Sequence, residues 1–334
     1  MDLVALAEHN HARGEPLRRR PRGRKGSPWQ ALVAIARKVQ DVATPLLLLA
    51  LVLPRPAAWG WGSDGHVSVN RVAAEKLPPD VPLFLRGAVA ELAYLGPEPD
   101  RWRDNSDAAL KSSQEPDHYI DLERIAWLER LPEGRYEFYQ RLYEKRAQTK
   151  DNPDDYLPER VGVQPYAVME IFGRLKASFR EYRQRRARQQ PTDFVEHKIV
   201  FYAGWLGHYV ADGSQPLHTT IHYNGWVGRN PKGYTTQGGI HADFETAYVS
   251  RNIAASDFAN LVHAPQRIDD PFARYLEYLR ASNAMVEKVY EFEKAGAFRG
   301  AGSREAFDFT TRRLAAGSQM LVDLWYTAWL DSAG

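Results

Sequence analysis

Residues 193–211 constrain the fold of this chain most strongly. They are apolar and aromatic, without the alternation of a half-buried strand, and read as a buried helix. The same helical periodicity runs through most of residues 61–334. Residues 65–77 carry apolar side chains at helical spacing and stop at Pro78-Pro79; residues 82–95 form a second helix, stopped by Gly96-Pro97. Residues 164–189 begin amphipathic and become heavily basic, as a solvated helix end does. Two long helices are expected over residues 271–294 and 303–332. Loops rich in Gly, Asn and Thr lie between, notably residues 222–240. There is no glycine-rich phosphate loop and no strand-rich alternation, which argues against Rossmann and P-loop folds. The expected fold class is all-α, a single-domain helical bundle without repeats.

The formal net charge of +2 over 334 residues conceals an asymmetry. Residues 1–60 hold ten Lys and Arg against four Asp and Glu, a net +6, so residues 61–334 carry −4. The body is mildly acidic, and the overall charge gives no support to a nucleic-acid partner. There is no cysteine. Disulfides, thiolate metal sites and a cysteine nucleophile are excluded, and any metal must sit on His, Asp, Glu or backbone groups.

The basic excess belongs to a leader. Residues 18–25 are a basic run, and residues 44–53 (TPLLLLALVL) are an apolar stretch too short to span a bilayer comfortably but suited to the core of a signal peptide. Arg37 and Lys38 supply the positive flank. Cleavage between Gly60 and Trp61 puts small residues, Ala58 and Gly60, at the −3 and −1 positions. The expectation is a leader over residues 1–60, a mature catalytic domain over residues 61–334, and secreted or periplasmic localisation. Residues 1–32 make the leader longer than usual, with Val33 or Val39 as alternative starts.

Of ten histidines, His9 and His11 lie in the leader, which leaves eight. His208 and Asp212, four apart on a helix, stack on one face and can hold one ion. After a turn at residues 213–216, His218 re-enters the same neighbourhood. His241 and Glu245 repeat the four-residue spacing. Imidazole with carboxylate is the common ligand set of hydrolytic zinc. A zinc peptidase is disfavoured by the lack of a His-Glu-x-x-His helix.

Residues 208–218 (HYVADGSQPLH) resemble the signature of the superfamily that joins bacterial zinc-dependent phospholipases C with fungal and plant single-strand-specific nucleases. Separated motifs in the same order carry the resemblance: Trp61-Gly62 with Gly65-His66, Asp100-Arg101-Trp102-Arg103, His118-Tyr119-Ile120-Asp121, His208 with Asp212 and His218, and His241 with Glu245. The resemblance implies three zinc ions in a cleft. The first would be held by Asp100, His118, His208 and Asp212, and the second by His218, His241 and Glu245. The third would take the α-amino nitrogen and carbonyl oxygen of Trp61 with His66, Asp212 bridging to the first. A free amine is a good ligand where an amide nitrogen is a poor one, which gives leader cleavage a chemical purpose. Asp100 would orient or deprotonate the attacking water, and Arg103 would reach the non-bridging phosphoryl oxygens.

Two substrates share this chemistry. The Trp61–His66 pattern, Arg103, and Tyr119 with Asp121 as base-stacking and base-bonding groups lean toward single-stranded nucleic acid. Glu245 where nucleases carry Asp, the approach TTQGGI before His241, and the 90-residue separation of His118 from His208 lean toward a phospholipid and phospholipase C. The long segment between those histidines is expected to form a lid or substrate wall. A non-catalytic secreted metal-binding helical protein is the alternative of a different class. No stable protein partner is expected, and the chain reads as a monomer.

Overall fold

The computed structural model describes residues 61–333; the leader expected over residues 1–60 lies outside them. The principal helices are α1 (Gly62–Glu75), α2 (Leu83–Gly87), α3 (Val89–Leu95), α4 (Arg135–Gln148), α5 (Gln164–Ala187), α6 (Asp193–Ser214), α7 (Pro271–Asn283), α8 (Val286–Lys294) and α9 (Arg304–Asp331). Among the described residues, β structure amounts to an isolated bridge between Tyr223 and Gly225. The protein is all-α. No helix of the described residues is long and apolar enough to cross a membrane.

Helix α6 is the hub, with α1, α3, α5 and α9 packed around it. Residues 206–214 are all buried. A helix end leaves its last carbonyls without intrahelical partners, and here water cannot serve them. Side chains do so instead. Tyr278 Oη donates to Val210 O at 2.7 Å, Trp61 Nε1 to Ala211 O at 2.8 Å, Ser282 Oγ to Gly213 O at 2.6 Å and Arg313 Nε to Ser214 O at 2.8 Å. This support carries α6 past residue 211, where the sequence pattern ends it.

Helix α1 packs on α6 through a stripe with i, i+3, i+4, i+7 spacing, His66, Val69, Asn70 and Ala73, all fully buried. Asn70 Nδ2 donates to Leu92 O at 2.9 Å and to Gly204 O at 3.0 Å, which ties α1 to α3 and α6. The approach depends on Gly207. A Cβ there would stand 2.0 Å from Asn70 Oδ1.

Two expectations from sequence require correction. Residues 82–95 are not one helix but α2 and α3, because Gly87 is a weak helix former and Ala88 turns out of the helical region at ψ 23°. Residues 271–294 likewise divide into α7 and α8. At the break the Asn283 side chain bonds outside its own helix, Nδ2 donating to Thr219 O at 2.8 Å. Helix α4 had no counterpart in the sequence reading; Phe138 and Leu142 alone are buried along it, too thin a stripe for periodicity to reveal.

Candidate metal centre

The chain delivers ligands to one place from separate elements. His208 and Asp212 come from the buried end of α6 and His66 from the first turns of α1. Asp100 comes from the helical turn Glu98–Arg101, His118 from the turn Glu115–His118 and His218 from the turn Pro216–Thr219. His241 sits in the turn Ile240–Ala242, and Glu245 in the π-helical turn Asp243–Tyr248 that continues it. π-Turns recur at functional sites because they re-aim one side chain without breaking the helix.

These eight side chains form three triads, the first two sharing His208: His66, Asp100 and His208; His118, His208 and Asp212; His218, His241 and Glu245. Asp212 joins them. Its Oδ2 lies 3.1 Å from His118 Nδ1 and 3.4 Å from His208 Nε2, while Oδ1 lies 3.3 Å from His66 Nε2 and 3.8 Å from His218 Nδ1. Asp100 Oδ1 is 3.9 Å from His118 Nδ1 and 3.8 Å from His208 Nε2. In the third triad, Glu245 Oε2 is 2.9 Å from His241 Nε2 and 3.5 Å from His218 Nε2. His66 thus reaches both Asp212 and the Asp100–His208 pair.

Backbone carbonyls set the imidazoles. Nδ1 of His208 faces Gly96 O at 2.8 Å, Nδ1 of His218 faces His118 O at 2.7 Å, and Nδ1 of His241 faces Tyr223 O at 2.9 Å. A carbonyl only accepts, so in each neutral ring Nδ1 carries the proton and Nε2 offers its lone pair inward. Two amides missed at the sequence level extend this frame. Gln164 Nε2 donates to His118 O at 3.2 Å, and Gln215 Nε2 donates to Glu245 Oε2 at 2.8 Å. Gln215, inside the His208–His218 segment, was open to notice; Gln164 had no local signal.

Electrostatics follow from burial. Burial pushes the Asp100 carboxyl up to about 7 and drives His118 down to about 3. His208 is likewise held well below its ordinary value by burial. At His218 burial opposes protonation, but the carboxylates of Asp212 and Glu245 outweigh it and raise the ring to about 9. For Asp212 burial works upward, and the surrounding imidazoles, His218 and His208 foremost, reverse the direction and hold it well below the carboxylate range.

The donor set fits a divalent cation. Buried atoms His66 Nδ1 and Nε2, His118 Nε2, Asp212 Oδ1 and Glu245 Oε1 have no hydrogen-bond partner among the described residues. Such groups cost free energy unless something satisfies them. Nε2 of His218 and Nε2 of His241 face each other at 3.2 Å; with both rings neutral and protonated at Nδ1 these are two lone pairs, which a cation bound in place of the proton would reconcile. Imidazole and carboxylate without thiolate suit zinc.

Trp61 lies outside the side-chain triads. Its fully buried indole anchors it, Nε1 donating to Ser214 Oγ as well as to Ala211 O, both at 2.8 Å, and its carbonyl accepts from Gly65 N at 3.2 Å. Its backbone stands at the head of α1, the helix of His66.

A cleft of about 430 Å³ opens beside the cluster, with His118, His218 and His241 in its floor and Arg103, Tyr119, Asp121, Arg124, Arg160 and Tyr223 among its walls. Arg103 is buried, with Nη1 3.3 Å from Asp100 Oδ1 and Nη2 3.4 Å from Glu115 Oε1. Tyr119 lines the cleft, but its hydroxyl donates to Glu159 O at 2.6 Å. Asp121 accepts from Arg124 Nε at 3.0 Å rather than standing open to a substrate. Tyr223, half exposed on the opposite wall, was missed in the sequence.

No protein-family model matches the chain. It is 28% identical over 177 residues to a probable serine protease of Bradyrhizobium tropiciagri, a stretch of 42% of this chain and 22% of that protein. The chain therefore spans about a fifth of the length of that curated relative. Among solved structures, the alpha-toxin of Clostridium absonum aligns over 83% of this chain and 67% of its own, at 13% identity and a TM-score of 0.42. The alpha-toxin of Clostridium perfringens aligns over 83% and 66%, at 14% identity and a TM-score of 0.38. None of these likenesses is close enough to assign this chain an activity.

Proposed function

We propose that this protein is a zinc-dependent phosphodiester hydrolase, exported and cut before Trp61, that acts on single-stranded nucleic acid. The observation that carries the reading is the convergence of five histidines and three carboxylates beside a cleft lined by arginine and tyrosine, three of the histidines reaching into it. His118, His208, Asp212 and Asp100 would hold one ion, and His218, His241 and Glu245 another. His66 with the freed backbone of Trp61 would hold a third, bridged by Asp212. Bound there, zinc supplies Lewis acidity toward phosphoryl oxygens and the means to deprotonate water near neutral pH.

The chain's own groups then have distinct tasks. The water oxygen forms the new P–O bond as the ester P–O bond breaks, and the departing alkoxide takes a proton from solvent and leaves as an alcohol, which balances the proton lost by the attacking water. Asp100, at the edge of the cluster, orients the water and takes its proton. Arg103, held beside Asp100, offers its guanidinium to the non-bridging oxygens as charge develops. Tyr119 and Tyr223 present rings to the leaving or retained base, a contact worth about 1–3 kcal/mol per stacked base.

Phospholipase C is the second reading. The Asp121–Arg124 pair favours it, because a carboxylate already paired is poorly placed to select a base. A protease reading, suggested by the name of the Bradyrhizobium relative, finds little support at Ser214. That hydroxyl donates to Ala211 O at 2.8 Å and accepts from the Trp61 indole.

The test is protein beginning at Trp61, assayed on single-stranded DNA, RNA, phosphatidylcholine and casein, with and without chelator. Chelator-sensitive release of nucleotides is expected. Hydrolysis indifferent to chelation removes the metal reading, and cleavage of lipid alone replaces the substrate.

A further inference from the structure

Tyr290, on α8, is 49 positions beyond His241 in the chain, yet its hydroxyl reaches the loop that orients that histidine. It donates to His222 O and accepts from Gly225 N at 3.0 Å. These two groups bracket Tyr223, whose carbonyl faces His241 Nδ1 at 2.9 Å and whose side chain lines the cleft. A second clamp closes the loop at its far end, where Gly239 N donates to Asn224 Oδ1 at 2.7 Å.

The Tyr290 ring is fully buried against Trp226, at 5.2 Å between centroids, and Tyr234, at 5.4 Å. Packing therefore fixes the ring, while the hydroxyl deals with the loop. Burial pushes its ionisation up to about 12, so at neutral pH it keeps the proton it donates. A free loop would let the Tyr223 carbonyl wander and the imidazole turn with it.

We propose that the Tyr290 hydroxyl is a positioning group for the His218–His241–Glu245 ion site, acting through the Tyr223 carbonyl on the His241 ring. This inference rests on the metal reading above. Groups that orient a ligand typically change metal affinity by about 10- to 100-fold when removed. Loss of the hydroxyl alone should weaken one ion and leave the ions near Asp212 as they were.

The experiment is zinc titration against a competing chelator on wild-type protein, Tyr290→Phe and Glu245→Gln, with unfolding followed in parallel. The expected result is one zinc bound about 10- to 100-fold more weakly in Tyr290→Phe, the same ion that Glu245→Gln loses, with the other sites unchanged. Equal affinities in wild type and Tyr290→Phe overturn the inference while leaving the metal centre intact. Uniform weakening of every site, or loss of cooperative unfolding, also overturns it, since either would mean the hydroxyl serves packing. A wild-type protein that takes up no zinc removes the metal reading, and this inference with it.

Discussion

The indole nitrogen of Trp61 donates to the carbonyl oxygen of Ala211 at 2.8 Å, one residue before Asp212. The bond fastens the head of α1 to the turn of α6 that carries the central carboxylate. It fixes Trp61 at the head of the helix that carries His66. Trp61→Phe removes the donor and leaves a smaller ring in a fully buried site; a loss of about 1–3 kcal/mol in urea unfolding is expected. Mature protein retaining Gly60 should fold with the same circular dichroism yet bind one zinc fewer and hydrolyse poorly. Full activity in that protein would argue against an amino-terminal ligand.

Asp212 lies within 4 Å of four histidines, His66, His118, His208 and His218. Asp212→Asn preserves shape and removes the charge that would offset cations held on either side. Elemental analysis should show two zinc ions fewer per chain than wild type. An unchanged stoichiometry would mean that Asp212 bridges nothing.

Arg103 touches Asp100 but belongs to no triad. Arg103→Gln should therefore leave metal content alone and lower kcat by about 10²–10³, the range seen when one donor to a developing oxyanion is lost. A fall in bound zinc would instead make Arg103 a support for Asp100.

Burial raises the Asp121 carboxyl from 3.8 to about 7, although the Arg124 guanidinium pulls the other way. Between those values the folded chain holds a proton that the unfolded chain has released. Asp121 therefore makes stability fall as pH rises through this window. Asp121→Asn should flatten that part of the stability profile, read by urea unfolding at pH 4, 5.5 and 7. An unaltered slope would show that Asp121 is charged throughout.

Gly207 has no room for a methyl group against Asn70. Gly207→Ala should cost about 1–3 kcal/mol through displacement of α1 from α6, visible as a lowered Tm. Because His66 shares the stripe of Asn70, zinc affinity should decline as well.

The all-α class was legible in the sequence, and so were the histidines and carboxylates that the fold brings together. Both are local properties: a four-residue spacing such as His208–Asp212 or His241–Glu245 already defines a face, and apolar periodicity already defines a helix. Helix breaks were less legible. The division at Ala88 and the one after Asn283 turn on a single backbone angle and on a side-chain bond to Thr219, neither of which periodicity records.

Packing alone decided the rest. Which imidazole nitrogen points inward depends on carbonyls of Gly96, His118 and Tyr223, two of them about a hundred residues from the rings they hold. The joining of triads through Asp212 arises at the buried end of α6, and the reach of Tyr290 to the His241 loop arises where α8 meets that loop. Sequence fixes what each side chain can bind; the distance between side chains, and so whether they bind together, is set by how buried helices satisfy their polar groups away from water.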